Sequence, residues 1–259
     1  MRNFSAIAMG LSLISLATLH AATSVEEVSS SEANPVTVQA VWSRTPVVLD
    51  GKLDDPVWKS APKYPLALSV KTQELRPGLQ DPGTVQFAWD DEFFYAAFDF
   101  QDGDIVQEAD KDQKHHYQTG DVAELFLKPK EETWYWEMYA TPNALKTAFF
   151  FPGRGRLGLP SGFKHHSDLQ TAATVEGTLD AWTDHDTRWV AEMAIPRREL
   201  AKAGIPLDPS HPWRIFVGRY NYSRYLPFKE LSMMPPQVED SYHLYEGWAD
   251  LELVKPASK

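Results

Sequence analysis

The sequence predicts an all-β fold, a two-sheet antiparallel β-sandwich of the immunoglobulin-like or jelly-roll type. From residue 36 onwards, short segments carry an apolar residue at every second position, and Gly, Pro, Asp and Asn separate them. This alternation is typical of half-buried antiparallel strands. Eight such segments occur without an internal repeat or a βαβ pattern, so we expect two packed sheets in a single domain.

The eight predicted strands follow one another along the chain. They span residues 85–89, 94–100, 122–127, 134–139, 169–175, 189–195, 215–221 and 248–254. One short helix is predicted over residues 197–203, because Pro196 suits a first helical turn and Gly204 suits a helix end. Long polar connections occupy residues 75–83, 102–120, 153–167 and 228–245. Loops of such length usually carry function or disorder, so we expect the functional site there.

The N-terminal residues 1–22 predict a secretory signal peptide. They begin with Met-Arg, continue through an apolar run over residues 4–19 and reach small residues at Ala21 and Ala22, as such peptides do. The run is too short to span a bilayer. The alternative is a buried N-terminal helix, but residues 23–35, rich in Ser and Glu, predict a disordered linker that gives a helix nothing to pack on. We expect a secreted or periplasmic bacterial protein whose folded domain covers residues 36–256.

Composition narrows the class of function. The chain has no cysteine, which excludes disulfides, thiolate zinc sites and a lipid-anchored N-terminal thiol. Its net charge of −11 argues against a nucleic-acid partner, which needs a concentrated basic face. No second apolar run is long enough for a membrane span. Nine Trp, ten Tyr and thirteen Phe provide flat rings that suit either a core or stacking on sugar faces.

Two acidic residues stand out within the predicted strands. Glu124 and Glu137 each have apolar neighbours, and a buried carboxylate without a partner is costly. We expect Arg219 and Arg224 to be their partners. Two interpretations therefore remain. The glutamates are either part of a ligand site, or they form ion pairs between strands and contact no ligand. Two acids roughly 5–10 Å apart also occur in glycosidases, a third reading.

Dispersed motifs occupy most of the expected domain. Residues 48–58 read Val-Leu-Asp-Gly-Lys-Leu-Asp-Asp-Pro-Val-Trp, where Asp50 and Gly51 favour a tight turn and Trp58 suits the core. Residues 89–95 read Trp-Asp-Asp-Glu-Phe-Phe-Tyr, and residues 120–127 read Gly-Asp-Val-Ala-Glu-Leu-Phe-Leu. Matching stretches follow at residues 134–143, 177–196 and 213–224. In this order the motifs resemble the family 9 carbohydrate-binding modules over about residues 47–253.

The resemblance implies a module that binds a glycan without cutting it and accompanies polysaccharide-degrading enzymes, which are candidate partners beside the polysaccharide or oligosaccharide itself. In the family, two aromatic rings enclose one sugar unit, while a carboxylate, an arginine and amides bond its hydroxyls. Glu124 falls on the carboxylate position, and Tyr242 and His243 fall near one ring position. Gln118 occupies the other ring position, with Tyr117 beside it, and Glu137 replaces the arginine. With polar groups from Arg219 and Asn221, these residues form the predicted carbohydrate site.

Three other interpretations remain at this stage. The first adds a calcium ion, because Asp102, Asp104 and Asp110 lie in an acidic loop that offers oxygen ligands; the alternative is a solvated acidic loop. The second is a haem b electron-transfer domain using residues from the pairs at 115–116, 165–166 and 233–234 or His243, although no haem-attachment motif occurs. The third is a structural or interaction sandwich that has no sugar ligand.

Overall fold

The computed structural model describes residues 36–76, 78–154, 167–201 and 204–255. The predicted signal peptide and linker, and the histidine pair 165–166, lie outside the described residues. Within the described ranges the chain forms twelve strands: β1 Thr37–Trp42, β2 Tyr64–Pro65, β3 Gly83–Trp89, β4 Phe93–Gln101, β5 Val122–Pro129, β6 Tyr135–Ala140, β7 Lys146–Phe151, β8 Gln170–Glu176, β9 Arg188–Pro196, β10 Trp213–Asn221, β11 Glu230–Met234 and β12 Ala249–Val254.

The helices are few and short. They are α1 Pro56–Ser60, α2 Val70–Leu75 and α3 Arg197–Leu200, with 3-10 turns at His116–Gln118 and Tyr245–Gly247. Helix α3 lies where the sequence predicts one, with Pro196 as its N-cap and Gly204 beyond its end in the left-handed region, at φ 88°. Residues 202–203 of that predicted helix lie outside the described part. The all-β prediction is confirmed in outline.

The sheet differs from the predicted pair of antiparallel sheets. All twelve strands belong to one continuous sheet with the path β7-β6-β5-β10-β12-β1-β3-β4-β9-β8, while β11 pairs with β10 and β2 pairs with β3. Strand β1 pairs in parallel with both β12 and β3, so it joins the two halves that the prediction separated. These pairings connect distant parts of the chain, and local alternation carries no information about them.

One large core fills the space between the two halves of the sheet. From β5 and β10 it receives Ala123, Leu125 and Val217, and from β4 and β9 it receives side chains such as Phe98 and Trp189. Because side chains alternate along a strand, the same β5 and β10 also present a second, outward face. That outer face carries a separate aromatic cluster covered by the segment around residues 235–248, and it contains the candidate site.

The motif at residues 48–58 is anchored by a buried carboxylate on β9. Glu192 accepts hydrogen bonds from the backbone N–H groups of Asp50 (3.1 Å) and Gly51 (2.9 Å), and from Trp58 Nε1 (2.9 Å). Gly51 has φ 73°, and a Cβ there would lie 2.7 Å from the backbone of Ala173, so only glycine fits. Trp58 is buried, as predicted. This motif is therefore fixed to β8 and β9, neither of which lines the candidate site.

Candidate functional site

A cavity of about 290 Å³ lies on the outer face of strands β5, β6 and β10. Its floor consists of Glu124, Glu137 and Tyr139, and the segment at residues 240–243 closes one side. The 3-10 turn beginning at His116 brings Tyr117 to the rim. The turn belongs to residues 102–120, one of the long polar connections in which the sequence predicts the site.

Strand register places the two acids together. Glu124 pairs with Tyr139 across β5 and β6, and Phe126 pairs with Glu137. Glu124 and Glu137 are therefore diagonal neighbours on the same face of the sheet. Both are almost fully buried, with 3% and 4% of their surface exposed. The Tyr139 hydroxyl donates to Glu137 Oε1 and also contacts Glu124, so one tyrosine links the two carboxyl groups.

The two carboxyl groups have fewer hydrogen-bond donors than acceptor oxygens. Glu124 Oε1 and Glu137 Oε2 have no hydrogen-bond partner among the described residues. Burial raises the pKa of Glu137 to about 8. Burial, and then repulsion from Glu137, raise the pKa of Glu124 well above its usual value. At neutral pH the pair therefore holds at least one proton, and it offers both a donor and acceptors to whatever enters the cavity.

Aromatic rings form the walls. Tyr117, half-buried, lies with its ring centroid 5.3 Å from that of Tyr220 at an interplanar angle of 34°. On another side, Phe151 lies 5.3 Å from the His243 ring. Tyr135 Oη and His243 Nδ1 are 2.8 Å apart and hydrogen-bonded, which fixes the imidazole. Burial lowers the pKa of His243, so its ring is neutral at physiological pH.

Tyr242 lines the cavity beside Glu124. Its ring lies over Gly218, where a Cβ would come within 2.3 Å of it. Its hydroxyl is 2.6 Å from the Arg219 carbonyl and 3.1 Å from the Ser232 carbonyl. Only 5% of Tyr242 is exposed. The residue therefore lines the site as a fixed, largely buried ring rather than as the open stacking platform that the sequence suggests.

Three solved structures have the same architecture as this chain. A protein from Bacteroides uniformis, described as a candidate carbohydrate-binding protein, superposes with a TM-score of 0.64 at 10% identity, covering 85% of this chain and 99% of that one. The chain has the fold of the family 9 carbohydrate-binding modules. Two structures of a family 9 module from Caldicellulosiruptor kristjanssonii show it. The complex with cellotriose has a TM-score of 0.55 at 13% identity, covering 85% and 95% of the two chains. The complex with glucose has a TM-score of 0.57 at 12% identity, covering 86% and 98%.

At such low identities the likeness establishes the family 9 fold alone. No family model matches the sequence, and no curated protein matches it either. Among the described residues, no helix is both long and apolar enough to cross a membrane.

Within this family 9 fold, the structure brings together five of the eight predicted site residues. Tyr117, Glu124, Glu137, Tyr242 and His243 all line the cavity. Gln118 is exposed beside it, and its Nε2 donates to the Tyr117 hydroxyl at 3.4 Å. Its contact with Tyr117 places it at the rim rather than in the lining.

Arg219 and Asn221 lie on the opposite face of β10, which corrects their predicted place in the site. Alternation along β10 directs Tyr220 into the cavity and its two neighbours away from it. Arg219 is fully buried and donates to Asp102 at 2.9 Å, and Asn221 donates to Asp81 at 2.9 Å. The expected pairing of arginines with the two glutamates is therefore wrong.

Arg224 pairs with Asp104 rather than with a glutamate of the cavity, at 3.2 Å. The three predicted calcium ligands have separate partners: Asp102 binds Arg219, Asp104 binds Arg224, and Asp110 binds Lys114 at 2.8 Å. Across the described residues, no group of three or more His, Asp or Glu side chains is placed to hold a metal ion.

The methionines and His116, named in the sequence analysis as possible haem ligands, lie in different parts of the structure. Met233 lies in the outer aromatic cluster and Met234 in the main core, because neighbouring residues of β11 point to opposite faces. His116 is buried between the Lys111 carbonyl at 3.1 Å and the Thr147 hydroxyl at 3.0 Å.

Sequence reasoning missed several wall and floor residues, namely Tyr139, Tyr220, Phe149, Phe151 and His115. Tyr139 shares the strand parity of the predicted site residue Glu137, so alternation indicates its face. Tyr220 lies on the cavity face because Gly218, two residues before it, pairs with Glu124, and alternation alone does not give that register. Phe149 and Phe151 give no such signal. They stand in β7, whose Phe-Phe-Phe end is apolar on both faces.

Proposed function

We propose that the chain is a non-catalytic carbohydrate-binding module that holds a saccharide in the cavity above Glu124. The observation that carries this proposal is that Glu124 and Glu137 line a hollow walled by aromatic rings, and that one carboxyl oxygen of each, Glu124 Oε1 and Glu137 Oε2, has no hydrogen-bond partner among the described residues. Sugar hydroxyls are donors that satisfy such oxygens. The apolar faces of a sugar ring suit the aromatic walls.

The size of the site suits a short glycan. A cavity of about 290 Å³ lies at the small end of ligand pockets, roughly 300–1,000 Å³, so it accommodates about one sugar unit. A neighbouring groove of about 510 Å³ shares Leu231 and Asp240 with the cavity and continues to the exposed Phe228. The groove gives room for the next unit of a chain whose end occupies the cavity.

The arrangement of the two acids favours binding over hydrolysis. A glycosidase holds its two carboxyl groups on either side of the scissile bond, roughly 5–10 Å apart. Here Glu124 and Glu137 lie side by side on one floor, and the same Tyr139 hydroxyl contacts both. A sugar unit rests on this pair rather than between its members. The solved family 9 structures, which bind cellotriose and glucose, support the same interpretation.

The wider role follows from the same proposal. An exported module of this kind delivers its partner enzymes to polysaccharide outside the cytoplasm. Two stacking contacts at about 1–3 kcal/mol each, by analogy with base stacking, and a few hydrogen bonds give a dissociation constant in the micromolar to millimolar range.

Calorimetric titration tests the proposal. The purified protein is titrated with xylan, cellulose and pectin fragments and with their monosaccharides, at millimolar concentrations. We expect saturable heat with at least one of them, and about 10-fold to 100-fold weaker binding in Glu124→Gln, which keeps the shape but replaces one carboxyl oxygen with an amide nitrogen that cannot accept a hydrogen bond. Glu252→Gln is the matched control, because Glu252 lies exposed on β12.

Two results would contradict the proposal. One is the absence of heat with every sugar. The other is equal affinity in the wild type and Glu124→Gln, which would place the saccharide elsewhere on the surface. If Glu124→Gln changed only stability, Glu124 would have a structural role instead.

A further inference from the structure

The charged side chains in the lining of the cavity are of one sign. The acidic side chains in its lining are Glu124, Glu137 and Asp240, and none of the described residues that line it is Lys or Arg. His115 and His243 also line it, and burial lowers the pKa of both. Lys229 is the cation whose charge reaches Glu124. It is exposed and lies outside the lining, 4.8 Å from the centre of the Tyr220 ring.

The floor is therefore a buried acidic pair without a buried counter-charge. Adjacent carboxyl groups out of water resist double ionisation, because each loses hydration and repels the other. A neutral sugar hydroxyl satisfies the hydrogen-bonding capacity of Glu124 Oε1 and Glu137 Oε2 but leaves this repulsion in place. An ammonium group brings three donors and the missing positive charge.

The walls favour the same kind of group. The rings of Tyr117, Tyr220, Phe149 and Phe151 surround the floor. Aromatic faces attract a cation held within about 6 Å of the ring centre. Buried acids and aromatic faces that converge on one hollow are complementary to a cation attached to an apolar body.

We propose that the saccharide bound above Glu124 carries a free ammonium group, as an unacetylated amino sugar does, and that this group contacts Glu124 and Glu137. The inference rests on the proposed function and names its class of ligand. Binding of the cation favours ionisation of both carboxyl groups. The proton that the pair holds in the empty cavity is then released to solvent.

Calorimetric titrations test the proposal of an ammonium-bearing ligand. The ligands are glucosamine, N-acetylglucosamine, glucose and choline, at about pH 6, where an amine is protonated. We expect glucosamine to bind at least about 10-fold more tightly than glucose or N-acetylglucosamine, as charge-assisted hydrogen bonds do. We expect choline to bind more weakly than glucosamine, because it lacks the sugar hydroxyls. Repeating the glucosamine titration in two buffers of different ionisation enthalpy should show release of at least about one proton per ligand bound, and the glucose titration should show none.

The outcomes separate this inference from the proposed function. Equal affinities for glucose and glucosamine would overturn the inference and leave the sugar site intact. Choline binding as tightly as glucosamine would overturn it in favour of a ligand that is not a sugar. No binding of any sugar would overturn both proposals.

A variant gives a second readout. Glu137→Gln keeps the shape of the floor and removes one acid, so the ratio of glucosamine affinity to glucose affinity should fall towards one, and the proton release that accompanies glucosamine binding should decrease. An unchanged preference for glucosamine in this variant would contradict the inference. Glu252→Gln again serves as the control, and circular dichroism confirms that the variants are folded.

Discussion

Two buried glutamates of this chain have the same sequence setting and different surroundings. Glu192 and Glu124 each lie between apolar neighbours in a central strand, and both are shielded from solvent. Glu192 accepts three hydrogen bonds within its own protein, two from backbone and one from Trp58. Glu124 has an oxygen without a hydrogen-bond partner among the described residues, and it lines a hollow. The difference between the two is therefore the number of donors that the folded chain supplies, and only the acid that is short of donors is a candidate for binding a ligand.

The largest expected effect is the loss of stability in Glu192→Ala. This change leaves the N–H groups of Asp50, Gly51 and Trp58 without an acceptor. Each such buried donor costs about 1–3 kcal/mol, so the free energy of unfolding should fall by about 3–5 kcal/mol. Urea denaturation measures it, with the exposed Glu176→Ala on β8 as control. A loss below about 1 kcal/mol would mean that Glu192 is not the anchor of the motif.

The pH dependence of stability should distinguish the acid pair. The pKa of Glu137 is about 8 in the folded chain against about 4.3 when unfolded, so folding takes up a proton between these values. The contribution of this protonation to the free energy of unfolding is complete below about pH 4 and is lost as the pH rises towards 8. The free energy of unfolding should therefore decrease over this range, by at most about 1.4 kcal/mol per pH unit.

Glu137→Gln removes that titration, so its stability should depend less on pH than that of the wild type. The other groups that face the pair, namely Glu124, Tyr139, Tyr220, His115, His243, Asp240 and Lys229, remain in the variant. The difference between the two proteins therefore reports the titration of Glu137 together with its effect on the pKa of Glu124. Parallel pH profiles for the wild type and the variant would show that Glu137 titrates as an ordinary surface acid does.

Gly218→Ala should damage the candidate site without touching the Glu192 anchor. The added Cβ would lie 2.3 Å from the Tyr242 ring, so the ring must move. Overpacking of this kind costs about 1–3 kcal/mol of stability and should also weaken saccharide binding. Gly78→Ala is the control, because a Cβ there meets nothing within 4 Å. Equal stability of the two variants would show that Tyr242 adapts freely.

The smallest effect is expected at the rim. Tyr117→Ala removes one stacking ring, which should weaken saccharide binding by about tenfold, and should leave stability nearly unchanged because the ring is half-buried. Tyr117→Phe keeps the ring and should bind almost as the wild type does. Calorimetry compares the two. An equal loss of saccharide affinity in Tyr117→Ala and Tyr117→Phe would show that the Tyr117 hydroxyl contacts the ligand and that stacking contributes little.

The sequence predicts much of this fold because half-buried strands alternate. All eight predicted segments are strands, and Trp58 is in the core as expected. Strand β7 was missed because Phe149 and Phe150 face different clusters, so both of its faces are apolar. The closure of the sheet through parallel β1 depends on pairings between distant segments, which local patterns do not encode.

The site was predictable only in part. Alternation groups Glu124 with one face of β5 but does not say which face of β10 meets it. The sequence therefore assigned Arg219 and Asn221 to the site, whereas Tyr220 between them lines the cavity. The register of β5, β6 and β10 decides this, and register is a property of the folded sheet.

A crystal structure of the protein with a bound saccharide tests the central claim most directly. We predict one sugar unit in the cavity between Tyr117 and His243, with a ring substituent bonded to Glu124 and Glu137. A saccharide found only on an exposed ring such as Trp182 or Phe228, with the acidic floor uncontacted, would contradict the account.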